Sequence, residues 1–300
     1  MTAPPGTSPA DSMSEGSDVA LRTTYRLRIG DAFRRSESGR TFEVRGADGG
    51  FLARAALASG RDARDAVAAA RAAFPAWSGS SAYQRGQLLY RVATILADHR
   101  ARVADQVSRA IGGTAAAAYA EVDAAVDRWL WYTGWTDKIA QVRGSANPVA
   151  GRYLSLSVPE PAGVVAVLAP QDSALLGMVS VLAPAIAGGN TAVLVASERY
   201  PLPVLGLAEV LAAADLPAGV VNVLTGEVAE VAPWLAAHQD VNAIDLAGAP
   251  GALADDLAVA AAGTLKRVVR LADDDWIAEP GLERMFATLE TKTVWHPLAP

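Results

Sequence analysis

From residue 163 onward, short and mostly apolar runs alternate with longer stretches of helical period. The runs Gly163–Ala169, Thr191–Ala196, Val220–Leu224, Val241–Leu246 and Arg267–Leu271 read as strands. Between them, Ala174–Ala187, Leu202–Ala213, Val228–His238 and Gly251–Ala261 read as helices. Strands without a polar face must be covered on both sides, so this pattern predicts a parallel sheet wound between two helical layers. The expected fold class is α/β, a Rossmann-like doubly wound parallel sheet.

The first half is patterned differently. Tyr25–Phe51 alternates weakly among turn residues and predicts short strands. Arg61–Phe74 predicts an alanine-rich helix ended by Pro75. A second helix starts near Ser81, with Leu88, Val92, Ile95 and Leu96 on one face and His99 continuing that stripe. A third runs from Ala115 to Asp137 and carries Trp129, Trp131 and Trp135, which suit helix packing better than a cofactor box. Ile139–Val142, a turn over Gly144–Gly151 and Tyr153–Val158 predict a hairpin. Leu282–Phe286 reads as one helical turn, and Glu290–His296 as an isolated last strand closed by Pro297.

Composition narrows the chemistry. The 300 residues are 51% hydrophobic and 19% charged, a globular balance, and the net charge of −6 disfavours a duplex nucleic acid partner. There is no cysteine, so disulfides, thiolate metal sites and a thiol nucleophile are excluded. His99, His238 and His296 lack metal-ligand spacing. Residues 1–20 are expected to form a polar disordered tail without the apolar segment of a signal peptide, and no run reads as a membrane span; the expected location is the cytoplasm.

Several strings carry a specific resemblance. Glu160-Pro161-Ala162-Gly163-Val164, Leu182-Ala183-Pro184-Ala185 with Gly189-Asn190-Thr191, and Leu216-Pro217-Ala218-Gly219-Val220-Val221-Asn222-Val223 occur in that order. Leu265-Lys266-Arg267-Val268 and Leu289-Glu290-Thr291-Lys292-Thr293-Val294 follow. From about Tyr25 the sequence resembles the aldehyde dehydrogenase superfamily, in which a cysteine attacks the aldehyde, hydride passes to NAD(P), and a glutamate activates the hydrolytic water.

Matched to that pattern, the machinery is degenerate. Pro170-Gln171-Asp172 stands at the Pro-Trp-Asn element, so Asp172 replaces the oxyanion amide. Leu271 stands at the glutamate base. Val195-Ala196-Ser197-Glu198 keeps only Glu198 of the ribose-binding Lys-x-x-Glu, and Leu246-Ala247-Gly248-Ala249 keeps only Gly248 of the pyrophosphate turn, with Leu253 at a second glycine. Residual cofactor contacts would be Pro170, Glu198 and Gly248, and the resemblance implies weak or absent NAD binding. The acidic run Asp273–Asp275 reads as a solvated linker rather than a metal site.

Family enzymes carry a catalytic domain, of order 150 residues, between the segment matching Arg267 and the strand matching Thr291. Here only residues 268–290 intervene. The implied organisation is an NAD-binding-like domain over 21–138 and 159–281, and an oligomerisation arm over 139–158 and 282–300. Arm contacts would fall on Tyr153, Leu154, Leu156, Val158, Thr293, Val294 and Trp295, with Val294 facing opposite to Thr293 and Trp295. The expected role is a non-catalytic subunit joined through this arm to a full-length aldehyde dehydrogenase, or to a second copy of itself. An apolar face bared by the missing domain would add to that interface. The alternatives are an aldehyde oxidoreductase with a rebuilt site and a self-assembling NAD-sensing module.

Overall fold

The computed structural model describes residues 24–271 and 275–298. The expected tail over residues 1–20, and Asp273 and Asp274 of the acidic run, lie outside the described residues.

Five short strands open the described chain: β1 (Thr24–Tyr25), β2 (Leu27–Ile29), β3 (Ala32–Arg34), β4 (Thr41–Arg45) and β5 (Phe51–Ala56). Four helices follow: α1 (Gly60–Gly79), α2 (Ala82–Asp98), α3 (Arg100–Ile111) and α4 (Ala115–Thr133). A capping box starts α1, in which the Ser59 side chain accepts from the Asp62 N–H and Asp62 accepts from the Ser59 N–H. The helix does not stop at Pro75 as the sequence predicted. It continues to bury Trp77, whose indole N–H donates to the Ile186 carbonyl at 3.1 Å. Burial of that ring outweighs the one backbone hydrogen bond that proline forfeits.

Helix α3 is absent from the sequence reading, although Val103, Ala104, Val107 and Ala110 mark its buried face. His99 sits at the α2–α3 junction, and its Nδ1 lies 2.8 Å from the Ile95 carbonyl, a packing role rather than a ligand role. Helix α4 ends earlier than expected, at Thr133. Its Trp129 is fully buried, as the packing reading required.

The parallel unit runs β8 (Val164–Leu168), α6 (Leu176–Ala187), β9 (Thr191–Val195), α7 (Pro201–Ala213), β10 (Val221–Leu224), α8 (Val228–Ala237), β11 (Ala243–Asp245), α9 (Gly251–Ala262) and β12 (Arg267–Val269). The sheet order is β12-β11-β8-β9-β10-β2-β3. The first five strands are parallel, and the β2–β3 hairpin adds antiparallel at one edge. Every residue of β8, β9, β10 and β11 is buried. Their side chains divide by alternation: Val165 and Val167 pack with α2, α4, α6 and α7, while Val164, Ala166 and Leu168 pack with α1, α8 and α9. Each fully buried Val or Leu contributes about 1.5–3 kcal/mol, which accounts for the runs that revealed the fold.

The arm departs from the sequence reading in two places. Ile139–Val142 is not a strand; it lies in a short helix, α5 (Ile139–Arg143), anchored by buried Ile139. The hairpin partner is instead β6 (Ser145–Asn147), paired antiparallel with β7 (Tyr153–Pro161). Nor is the terminal strand isolated. After α10 (Glu283–Ala287), β13 (Leu289–Pro297) pairs with β7 along its whole length, giving a three-stranded sheet in the order β13-β7-β6. Among the described residues, no helix is long and apolar enough to cross a membrane.

Candidate functional site

The connection reverses direction between β8 and β11, so the carboxyl ends of these strands flank the crevice where ligands bind in such sheets. The structure places a cleft of about 490 Å³ there. Asp172, Glu198, Gly248 and Leu271, all singled out from sequence, line it. Pro170 is close by but buried, packed where a side chain on Gly177 would have to go.

Several polar groups around this cleft are bonded to the protein itself. The Gln171 side chain accepts from Ser197 Oγ at 3.1 Å and from the Glu198 N–H at 3.0 Å, and donates to the Ala169 carbonyl at 3.0 Å. Glu198 Oε1 accepts from the Val228 N–H at the start of α8. Asp172 Oδ1 accepts from the indole N–H of Trp276 at 3.1 Å. The Ala249 N–H donates to the Leu246 carbonyl at 2.9 Å. Arg270 is paired with Asp255 on α9. Leu253 packs against the core rather than opening space at the helix start.

Gly248 has a structural explanation that needs no ligand. A Cβ there would lie 2.1 Å from the Ala169 carbonyl oxygen and 2.7 Å from its carbon. The obstacle is backbone of the central strand's exit, which cannot rotate away. Gly248→Ala should therefore destabilise the fold by roughly 1–3 kcal/mol with no nucleotide present. Urea unfolding checks this, and an unchanged midpoint would return Gly248 to a ligand role. Several groups that would meet a nicotinamide dinucleotide there are already engaged within the protein.

Four residues that sequence reading missed shape the site. Trp276 follows the point where the catalytic domain would begin, and it lines the cleft. Arg128 on α4 donates to Ser180 Oγ at 2.6 Å, to the Trp276 carbonyl at 2.7 Å and to the Ala278 carbonyl at 2.9 Å. Burial lowers its pKa from the ordinary arginine value, yet a guanidinium remains a cation. Tyr132 donates to the Gly281 carbonyl at 3.3 Å, its own pKa pushed up to about 12 by burial. Arg284 on α10 forms a buried ion pair with Asp245 at the end of β11. The available signal was the Trp276-Ile277 pair directly after an acidic run. Among the described residues, no group of three or more metal-ligating side chains forms.

The fold and cleft define a Rossmann-like α/β protein. The chain belongs to the aldehyde dehydrogenase family, whose model matches residues 33–271. It is 34% identical over 236 residues to the cytosolic 10-formyltetrahydrofolate dehydrogenase of Pongo abelii, covering 76% of this chain and 26% of that protein. It is 31% identical over 248 residues to aldehyde dehydrogenase, cytosolic 1, of Elephantulus edwardii, covering 81% and 49%. The crystal structure of PnpE from Pseudomonas sp. WBC-3 superposes with a TM-score of 0.77 at 31% identity, over 82% of this chain and 50% of PnpE. The chain thus spans about a quarter of the formyltetrahydrofolate dehydrogenase and about half of the other two.

Proposed function

We propose that this chain is a non-catalytic aldehyde dehydrogenase family subunit that assembles through its arm, with a full-length family member as the preferred partner and a second copy as the alternative. The observation that carries the reading is the pairing of an intact arm with a dismantled site. In the arm, the β7–β13 register puts Val294 opposite Leu156, and Leu154 and Val158 share that face; all four side chains are exposed. Thr293 and Trp295 project from the other face, where Trp295 meets Tyr153 edge-on at 5.9 Å. An apolar sheet face and an open strand edge are liabilities in solution unless another chain covers them.

The site supports the same reading from the opposite side. No cysteine is present, Leu271 offers no base, and Asp172 is occupied by Trp276. The purified chain should form no NADH from any aldehyde above a heat-killed control, and Asp172→Asn should not change that. NAD should bind weakly or not at all. Losing the lysine at Val195 and the serine at Ala249 removes two hydrogen bonds of about 1.5–3 kcal/mol each, a loss of two or more orders of magnitude. Aldehyde-dependent NADH formation would favour a rebuilt oxidoreductase. A micromolar dissociation constant by calorimetry would favour an NAD sensor.

Light scattering on the purified chain, alone and mixed with a full-length family member from the same host, tests the assembly. A mixed species supports the preferred partner, and a homo-oligomer supports the alternative. A monomer under both conditions ends the proposal.

A further inference from the structure

The stretch that stands in place of a catalytic domain is not loosely rejoined chain. Trp276 is held at three points: its indole N–H on Asp172, its carbonyl on Arg128, and its ring beneath the Arg284 guanidinium, whose carbon lies 5.7 Å from the ring centre. The stretch is held again at Ala278 by Arg128 and at Gly281 by Tyr132. The chain that follows drops into the core, where Met285 is fully buried and Leu282 and Phe286 pack against it. The bared apolar face expected from sequence is thus partly covered by the protein itself.

The position of the indole has a chemical meaning. Asp172 and Trp276 line the cleft between β8 and β11, and they also line a second, mostly apolar cleft of about 620 Å³. That second cleft runs along α4 past Ala117, Ala120 and Ala124. Any reaction between a ligand in one cleft and a ligand in the other would have to pass the two residues they share. Hydride transfer in particular requires the reacting atoms within about 3–3.5 Å of each other.

We propose that residues 275–281 form a built-in partition: Trp276, latched by Asp172 and Arg128, stands between the two clefts and shields the sheet end beneath it. The partition is a property of the chain alone and does not depend on assembly through the arm. The latch is local and polar, so it is separable by mutation. An indole N–H needs an acceptor, which aspartate and asparagine both offer and alanine does not.

The absence of cysteine provides a clean probe. Ala174 lines the second cleft with Trp276 and is 2% exposed. An Ala174→Cys chain carries one thiol, whose rate of reaction with an aromatic disulfide reagent reads the shielding. Adding Trp276→Ala should accelerate that reaction at least tenfold. Adding Asp172→Ala should accelerate it severalfold, while Asp172→Asn should leave it near the parent rate. Equal rates in the parent and the Trp276→Ala chain would overturn the proposal, as would equal acceleration by Asp172→Ala and Asp172→Asn. If the cysteine variant fails to fold, hydrogen exchange on the natural chain decides. Amides of Ile277 and Ala278, which donate to Asp275, exchanging at least tenfold slower than free peptide support the partition, and free-peptide rates overturn it.

Discussion

Removing Glu290–Pro300 should abolish association while leaving the α/β unit folded. Residues Glu290–Pro297 supply all but one of the β13 pairs with β7, and none of the pairs in the parallel sheet. Only Leu289 of the strand is buried, and it stays in the truncated chain. The deletion therefore strips the arm of one strand and little of the core. It also removes Val294 and exposes β7 as a raw edge. A partner sheet extended by main-chain hydrogen bonds would lose its whole template. Size-exclusion chromatography with light scattering reads the outcome, and circular dichroism confirms the retained α/β content. Co-elution of the truncated chain with its partner would show that the arm is not the link. A gentler version, Leu156→Asp with Val294→Asp, puts two like charges directly opposite on the exposed face. It should weaken association without shortening the strand.

The second large effect is expected at Arg284. Its side chain is 6% exposed and that of Asp245 is 2% exposed, so the pair is a desolvated ion pair bridging α10 and the end of β11. Such a pair adds little net stability compared with well-packed apolar residues, because both charges have left water. Removing one member is different, since it strands the other charge in the interior. Arg284→Met should lower unfolding stability by about 3–5 kcal/mol, a large fraction of the total for a domain. Adding Asp245→Asn should recover part of the loss, because a neutral amide tolerates burial better than a carboxylate. It should not recover all of it, because the ion pair is not restored and the amide N–H groups must themselves be buried, although the amide oxygen can still accept from the Ala247 N–H. Urea denaturation of the three variants checks the series, and an unchanged midpoint for Arg284→Met would refute it.

The parts of the fold that were legible share one property: burial decided them. Strands β8 to β11 are buried on both faces and mostly apolar, and that covering writes itself into runs such as Val164–Leu168. The misread elements are those where a single tertiary contact outvotes a local rule. Trp77 carries α1 past Pro75, and Ile139 pulls its neighbours into a helical turn although Ile139–Val142 has the look of a strand. The degenerate site positions were legible from motif matching, and the structure gathers Asp172, Glu198, Gly248 and Leu271 around one cleft. What holds them was not legible. The Asp172–Trp276 bond spans 104 positions and Arg128–Ala278 spans 150. No periodicity encodes a contact between a helix and a linker so far apart.

The pairing of β7 with β13 has a kinetic consequence. Strand β7 leads into the parallel unit and β13 is its exit, so their ladder closes a loop containing every strand and helix from β8 to α10. Contacts of such long sequence separation form late, because the closure entropy must be met before the ladder forms. On the ribosome, β13 also emerges after everything it must close around. The arm's sticky face is therefore completed only on chains whose α/β unit is already in place. If the arm joins chains as proposed, only chains with a finished α/β unit would present the complete three-stranded face.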